Sequence, residues 1–202
     1  GRVELWSSQF NDNGMDPLPY YYEPDLSPRI PDKKPEDLHL LANPYVPEEL
    51  DAKWHERDLS HEEIMKKYPF ILSTGHRRYS SFHSEHRQIA VLRDPNPMLE
   101  INPKDAEKIG LADGQWCEIS NMFGKAKYKA RILPTIKEGH VEADHGWWFP
   151  EQDGEEPNLF GVWKSNFNSL VPHQNIGKLG FGAPYKGVMC NIRRVHSLNS
   201  DD

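Results

Sequence analysis

The most regular hydrophobic pattern in the chain lies at residues 125–133, where apolar and basic side chains alternate. Because successive side chains of a strand point to opposite faces, the apolar positions would share one face and the basic positions the other. Shorter apolar runs predict five further strands, at residues 70–72, 98–101, 115–120, 140–144 and 188–195. Short strands in this number, with one or two short helices, favour a mainly β fold built as a small mixed-sheet barrel over a doubly wound sheet.

Two short helices have recognisable starts. Ser60 and Glu63 have the spacing of a capping box, so a helix is expected from there to about Lys67. Asn102 is a preferred N-cap and Pro103 suits the first helical position, so a second helix is expected after the strand at residues 98–101.

Residues 1–68 differ in amino-acid composition from the rest of the chain. They contain eight of the 17 prolines and 15 acidic against 8 basic residues, whereas residues 69–202 contain 16 of each. Each proline fixes its own φ and disfavours helix at the preceding residue. We therefore expect an irregular, acidic, proline-rich arm at residues 1–68, with one short helix and a short strand at residues 1–7, followed by a barrel domain at residues 69–202. Interleaved tyrosines indicate that the arm lies on a surface, either of its own barrel or of a neighbouring domain.

Composition and charge restrict the partners. Hydrophobic residues make up 37% of the chain, below the ~45–50% of a typical globular domain, so part of the chain is not expected to form a core of its own. The formal net charge of -7 disfavours sequence-independent binding of nucleic acid or of an anionic membrane. No apolar run approaches the ~18 residues of a membrane span, and no signal-peptide pattern is present. We expect a soluble chain, with the choice between cytoplasm and export left to an upstream signal.

Cysteine and histidine spacing gives little support to a metal centre. Cys117 and Cys190 match no redox or metal motif and are expected to be buried free thiols. His83 and His86 have an i, i+3 spacing that metal ligands can adopt, but no third ligand lies close in sequence. A histidine-based metal enzyme is therefore kept as an alternative, and no residue is assigned as catalytic or as a metal ligand.

The first candidate site follows the strand at residues 70–72. The sequence Thr74-Gly75-His76-Arg77 and the later Phe82-His83-Ser84 with Arg87 combine backbone amides, hydroxyls and guanidinium donors. That combination suits a phosphate or the polar edge of a heterocycle, because arginine binds such groups through paired hydrogen bonds. An ordinary charged surface turn is the alternative.

Further candidates follow along the chain. Asn102 and Asp105 could read a base edge or simply cap their helix. The sequence His145-Gly146-Trp147-Trp148 could form a stacking wall, or pack in the core or against another domain. The turns at residues 166–170 and 182–186, the latter ending in Lys186, carry spare polar groups.

Taken in order, these segments resemble the C-terminal molybdopterin-dinucleotide-binding domain of the dimethyl sulfoxide reductase superfamily of molybdenum or tungsten oxidoreductases. The resemblance covers residues 69–195 and rests on the order of the motifs rather than on any one of them. The motifs are Thr74-Gly75-x-Arg77, Phe82-His83-Ser84-x-x-Arg87, Glu100-Ile101-Asn102-Pro103-x-Asp105-Ala106, Gly110-Leu111-x-Asp113-Gly114, a glycine turn at Gly124, His145-Gly146-Trp147-Trp148 and Asn166-x-Asn168-x-Leu170.

The resemblance implies a six-stranded double-psi β-barrel that holds molybdopterin guanine dinucleotide. It also implies that the molybdenum or tungsten ligand and any iron-sulfur cluster lie in other domains of a longer protein, so the isolated chain is expected to be inactive. The remaining domains of the same catalytic subunit and electron-transfer subunits are the implied partners. The implied cofactor-binding residues are Thr74, Gly75, His76, Arg77, His83, Ser84, Arg87, Asn102, Asp105, His145, Trp147, Asn166, Asn168 and Lys186.

A hypothesis of a different class remains open at this point. A stand-alone double-psi barrel could act as a protein-interaction module, with the aromatic arm at residues 17–54 as the contact surface. An upstream cysteine cluster would contradict this hypothesis, because such a cluster belongs to the oxidoreductase alternative. A sequence motif of an ATPase downstream of this chain would favour the interaction-module hypothesis.

Overall fold

The structure is a computed structural model that describes residues 5–21, 60–74, 92, 95–171 and 186–200. Within these ranges the α-helices are α1 (Ser8–Asp12), α2 (His61–Lys67) and α3 (Pro103–Lys108). The strands are β1 (Phe70–Ser73), β2 (Met98–Ile101), β3 (Trp116–Ser120), β4 (Lys125–Ile132), β5 (His140–Ala143) and β6 (Lys186–Arg194). Two 3₁₀ segments, Leu159–Lys164 and Phe167–Leu170, lie between β5 and β6.

The six strands close into one barrel in the order β1-β5-β2-β4-β3-β6. β1 is parallel to β5 and β2 is parallel to β4, while the other neighbouring pairs are antiparallel. Closure pairs the backbone of every strand on both sides, so no strand of the barrel is left as an open edge. The predicted fold class, a six-stranded mixed double-psi β-barrel with few short helices, is confirmed. The division into an arm and a barrel at residues 68 and 69 stays a prediction.

The alternating pattern of β4 places its apolar side chains inside the barrel. Ala126, Tyr128 and Ala130 are buried, and Tyr128 is fully so. Lys127 on the opposite face is buried as well, because its Nζ donates hydrogen bonds to the carbonyls of Leu198 and Ser200. The segment after β6 therefore covers part of the basic face that the sequence pattern predicts.

The core is made by the inward faces of the strands, by α3 with the turn after it, and by one 3₁₀ segment. Phe167 and Leu170 insert into it and are fully buried, although they lie outside the barrel strands. Cys117 and Cys190 are buried in the same core as free thiols, as expected. The second 3₁₀ segment thus contributes two side chains to the barrel interior.

The helices begin where the sequence predicts. The Ser60 Oγ accepts from the Glu63 amide at 3.3 Å and the Glu63 Oε2 accepts from the Ser60 amide at 2.8 Å, which completes the capping box of α2. Asn102 caps α3 by accepting from the Lys104 amide at 2.9 Å.

The expected strand at residues 1–7 is not formed in its described part. Ser7 instead caps α1, with its Oγ accepting from the Phe10 amide at 3.2 Å. The hydroxyl satisfies an amide that the first turn of a helix leaves without a partner, which favours the helix over an extended segment. The proline-rich stretch at residues 22–59, to which the predictions of an extended arm refer, lies outside the described residues. Among the described residues, no helix has the length and apolar character of a membrane span.

The capping box of α2 is expected to weaken in acid. The hydrogen bonds from the Ser60 side chain and backbone lower the pKa of Glu63 from its usual 4.5. A carboxyl with a lowered pKa in the folded state contributes stability above pH 4.5 and loses it as the pH falls through the lower value. The NMR titration midpoint of the Glu63 carboxyl should therefore lie below 4.5 and move toward it in the Ser60→Ala variant. Equal midpoints in the two proteins would contradict the assignment.

Candidate functional site

A cleft of about 370 Å³ lies between the segment that follows β5 and the two 3₁₀ segments. It brings together Trp147, Asn166 and Asn168, three of the residues that the sequence resemblance implies. The lining residues are Gly146, Trp147, Trp148, Leu159, Phe160, Val162, Asn166 and Asn168.

Aromatic rings form the apolar part of the cleft. The rings of Trp148 and Phe160 meet edge to face, with centroids 5.6 Å apart and planes at 70°. Trp147 packs on Phe149 in the same way at 6.4 Å. Trp147 is only 2% exposed, so the packing interpretation applies to it, whereas Phe160 is 42% exposed. The half-buried Trp148 and the exposed Phe160 therefore present apolar surface that a flat ring can cover.

Two residues of the cleft wall, Leu159 and Phe160, and the adjacent Gly161 have left-handed backbone. The φ angles of Leu159, Phe160 and Gly161 are 44°, 56° and 64°. Two of the three carry side chains, and each such residue costs on the order of 1–3 kcal/mol, which only a surrounding structure can offset. Hydrogen bonds from the Phe149 amide to the Phe160 carbonyl at 2.9 Å and from the Phe160 amide to the Asp153 carbonyl at 2.8 Å hold the wall in this shape.

Two side-chain amides supply the polar part of the cleft. Asn166 caps the second 3₁₀ segment, and its Oδ1 accepts from the Asn168 amide at 3.0 Å. Asn168 itself is exposed, and among the described residues no group hydrogen-bonds to its side chain. An amide in this position has a donor and an acceptor available for a ligand. A flat heterocycle with polar edges fits a cleft of this composition.

The residues that precede the cleft are tied to the end of β1. The Thr74 hydroxyl is buried and donates to the Ala143 carbonyl at 2.6 Å. His145 lies two residues beyond that carbonyl, at the start of the segment that carries the tryptophans. The Thr74 side chain therefore makes an internal contact between two chain segments that the sequence resemblance assigns to the cofactor.

Asn102 and Asp105 do not line the cleft. The Nδ2 of Asn102 donates to the Ile136 carbonyl at 2.7 Å. The buried Asp105 carboxylate accepts from the Gly139 amide at 2.6 Å and from the Lys108 Nζ at 3.0 Å. Both side chains thus hold the loop before β5 against α3, and the capping role that the sequence allowed is realised. Their contact with a base edge stays a prediction.

The remaining predicted site residues are not brought together by the described part of the structure. Lys186 is exposed at the start of β6, outside the cleft lining. Gly75, His76, Arg77, His83, Ser84 and Arg87 lie outside the described residues, as does His86. Among the described residues, no group of three or more histidine, cysteine, aspartate or glutamate side chains is placed to hold a metal ion.

Leu159, Phe160 and Val162 line the cleft but carry no recognisable sequence signal. They belong to a short apolar run, Leu159-Phe160-Gly161-Val162, without strand or helix periodicity. The glycine is the single hint, because a Cβ at Gly161 would overlap the Gln152 Oε1. That close approach exists only in the folded chain.

Cys117, Cys190 and Tyr128 are buried in the barrel core, and their pKa values are raised. Burial raises the pKa of Cys117 to about 12 and also raises the pKa of Cys190. Neither thiol is therefore a nucleophile at neutral pH. Burial and the nearby Asp144 charge raise the pKa of Tyr128 as well, so its hydroxyl remains a hydrogen-bond donor.

A family model and several known proteins match this chain. The family model described as Molydopterin dinucleotide binding domain matches residues 70–189. Acetylene hydratase of Syntrophotalea acetylenica is 33% identical over 201 residues, which cover 94% of this chain and 23% of that protein. Dimethyl sulfoxide reductase of Haemophilus influenzae is 32% identical over 145 residues, which cover 70% of this chain and 17% of that protein.

The solved structures support the same relationship. Acetylene hydratase from Pelobacter acetylenicus matches with a TM-score of 0.70 at 30% identity, over 96% of this chain and 23% of that chain. The chain thus spans less than a quarter of the length of these relatives. The alternative of a stand-alone interaction module is not favoured, because the matching family is a cofactor-binding one. Since the match extends over more than half of its residues, the chain belongs to the molybdopterin dinucleotide binding domain family and carries the fold that binds a molybdopterin-type cofactor.

Proposed function

We propose that this chain is the C-terminal cofactor-binding domain of a molybdenum or tungsten oxidoreductase and binds the guanine dinucleotide form of molybdopterin. The observation that carries the proposal is the cleft in which Trp148 and Phe160 provide an aromatic surface and Asn166 and Asn168 provide amides. A pterin is a flat bicyclic ring with polar edges, and it needs both kinds of contact at once. Its polar edge would meet the amide of Asn168, and its face would meet the aromatic wall.

The other predicted residues are assigned to the rest of the cofactor. Thr74 to Arg77, with His83, Ser84 and Arg87, would lie near the pterin or the diphosphate, where backbone amides and guanidinium groups bind best. Asn102 and Asp105 would approach a guanine or pterin edge from the start of α3. His145 and Lys186 would flank the pterin and the dinucleotide.

The metal-bound cofactor supplies oxygen-atom or electron transfer when it is held in the whole protein. The residues of this chain bind and orient it, and their cleft excludes water from one face of the pterin. We further propose that the metal ligand and an iron-sulfur cluster lie in other domains of the same subunit, and that electron-transfer subunits are its partners. The 202-residue chain by itself should not turn over substrate.

The proposal is tested by ligand titration of the purified chain. An oxidised pterin should quench tryptophan fluorescence by covering Trp148, and Asn168→Ala should weaken its binding about fivefold, the effect of losing one hydrogen bond. Asn191→Ala is the matched control, because Asn191 is also exposed but lies on β6, outside the cleft lining.

The guanine form is tested in the same assay with nucleotides. GMP should bind the chain more tightly than AMP, and NMR shifts should appear near Asn102 and Asp105. Equal affinity for the two nucleotides would contradict the guanine assignment. Pterin binding that is insensitive to Asn168→Ala would contradict the assignment of the cleft.

A further inference from the structure

The backbone amide, the backbone carbonyl and the side-chain carboxylate of Asp144 all form hydrogen bonds. Its amide donates to the Met98 carbonyl at 3.1 Å, and its Oδ2 accepts from the Met98 amide at 2.6 Å. Its carbonyl accepts from the Tyr128 hydroxyl at 3.1 Å. The residue is buried, directly after the last residue of β5. The end of this strand is therefore fixed to β2 and to β4 at the same point.

A second hydroxyl reaches the preceding carbonyl. The Thr74 Oγ1, just beyond the end of β1, donates to the Ala143 carbonyl at 2.6 Å. Two buried hydroxyls, one from β4 and one from the residue after β1, thus bind the carbonyls of two consecutive residues. Hydrogen bonds of this kind in a buried setting are strong and costly to lose, because a buried carbonyl cannot turn to water instead.

The cleft begins two residues further along the chain. Gly146 lines it with a φ of 63°, and Trp147 and Trp148 follow. Each residue of the link spans only about 3.3–3.6 Å and has few free dihedral angles. A link of two residues therefore limits the positions that the tryptophans can take relative to the anchored Asp144. The tryptophan side of the cleft therefore starts two residues from the anchored Ala143 and Asp144.

We infer that Thr74 and Tyr128 are positioning residues of the cleft, which act through Ala143 and Asp144 on the tryptophan segment. The buried Thr74 hydroxyl then acts through the Ala143 carbonyl, and the contact with the cofactor proposed above is left to the Thr74 backbone. An aromatic wall that is fixed before the ligand binds loses less conformational entropy on binding. The two hydroxyls therefore raise the affinity without contacting the ligand. The effect on affinity rests on the proposed function of the cleft, whereas the effect on the tryptophans does not.

Removal of single hydroxyl groups separates positioning from packing. Tyr128→Phe keeps the ring that fills the barrel, and Thr74→Val keeps the volume of the side chain. Both variants should shift the indole N–H signals of Trp147 and Trp148 in the NMR spectrum of the free chain and speed amide exchange at residues 145–148. Each should weaken binding of an oxidised pterin about fivefold. Thr74→Ser, which restores the hydroxyl, should recover the wild-type signals and affinity.

Ile119→Val is the control for a loss of stability alone. Ile119 is fully buried in β3, on the core face and outside the cleft. This variant should unfold at lower denaturant concentration, as the hydroxyl variants do, but keep the wild-type indole signals and pterin affinity. All measurements are made where each variant is fully folded.

The outcomes separate this inference from the proposed function. If the wild-type chain does not bind the pterin, the proposed function fails, and the indole signals of the free chain still decide the positioning role. If Tyr128→Phe and Thr74→Val leave those signals unchanged, or if Ile119→Val moves them as far, the positioning role is wrong.

Discussion

The Phe167→Ala variant is expected to lose about 3–5 kcal/mol of the free energy of unfolding, as truncation of a fully buried phenylalanine does. Phe167 has no exposed surface and packs in the main core, although its 3₁₀ segment is not one of the barrel strands. Its removal leaves a cavity that the paired strands around it cannot collapse to fill. Chemical denaturation of the two proteins measures the difference.

The same variant should damage the cleft. Phe167 lies between Asn166 and Asn168, so its ring anchors the segment that carries both amides. Phe10→Ala is the matched control, because Phe10 is 43% exposed in a helix that buries no residue. That change should alter the unfolding free energy by less than about 0.5 kcal/mol. Similar losses in the two variants would mean that the ring of Phe167 does not fill the core.

Gly124→Ala is expected to cost about 2–3 kcal/mol by overpacking. A Cβ at Gly124 would overlap the backbone carbonyl oxygen of Ser169, which cannot rotate away as a side chain could. The turn is fixed at this distance because Asn121 accepts from the Gly124 amide at 3.1 Å and donates to the Leu170 carbonyl at 2.7 Å. The added methyl group must therefore push the second 3₁₀ segment outward.

Gly110→Ala distinguishes overpacking from loss of backbone freedom. A Cβ at Gly110 meets no atom within 4 Å, but the residue has a φ of 65°. Its substitution should cost about 1 kcal/mol through the left-handed backbone alone. Thermal denaturation should rank Gly124→Ala as the more damaging change, and pterin binding should weaken only in that variant. If Gly110→Ala were the more destabilising change, the overlap of the added Cβ at residue 124 with the Ser169 carbonyl would be relieved without a loss of stability.

The strands and helix starts were open to prediction because their signals are local. The β4 alternation, the Ser60 and Glu63 capping box, and the Asn102-Pro103 start all depend on residues within a few positions of each other. Such local patterns form the same structure in most proteins, so they can be recognised without knowledge of the tertiary contacts. The short strand expected at residues 1–7 is not formed in its described part, where residues 5–7 lead directly into α1 and Ser7 is its N-cap.

The cleft was only partly accessible to sequence reasoning. Trp147, Asn166 and Asn168 stood out because aromatic pairs and spare amides are conspicuous, and the structure places them together. Phe160 was missed, since its place on the wall depends on left-handed backbone and on Gly154, which packs under its ring. These features involve contacts that a linear pattern does not encode.

The amino-acid pattern was enough to predict the barrel, its strand positions and the resemblance to a cofactor-binding family, because periodicity and motif order are properties of the linear chain. Which motif residues line the cleft, and which side chains bond within the scaffold, is visible only in the folded chain. Thr74, Asn102 and Asp105 have ligand-like chemistry, yet their side chains are engaged by the carbonyls and amides of Ala143, Ile136 and Gly139. A buried polar group must form a hydrogen bond with a group that the fold brings within reach. In these three cases the partner is 34 or more residues away in the chain, so it is in place only when the barrel has closed.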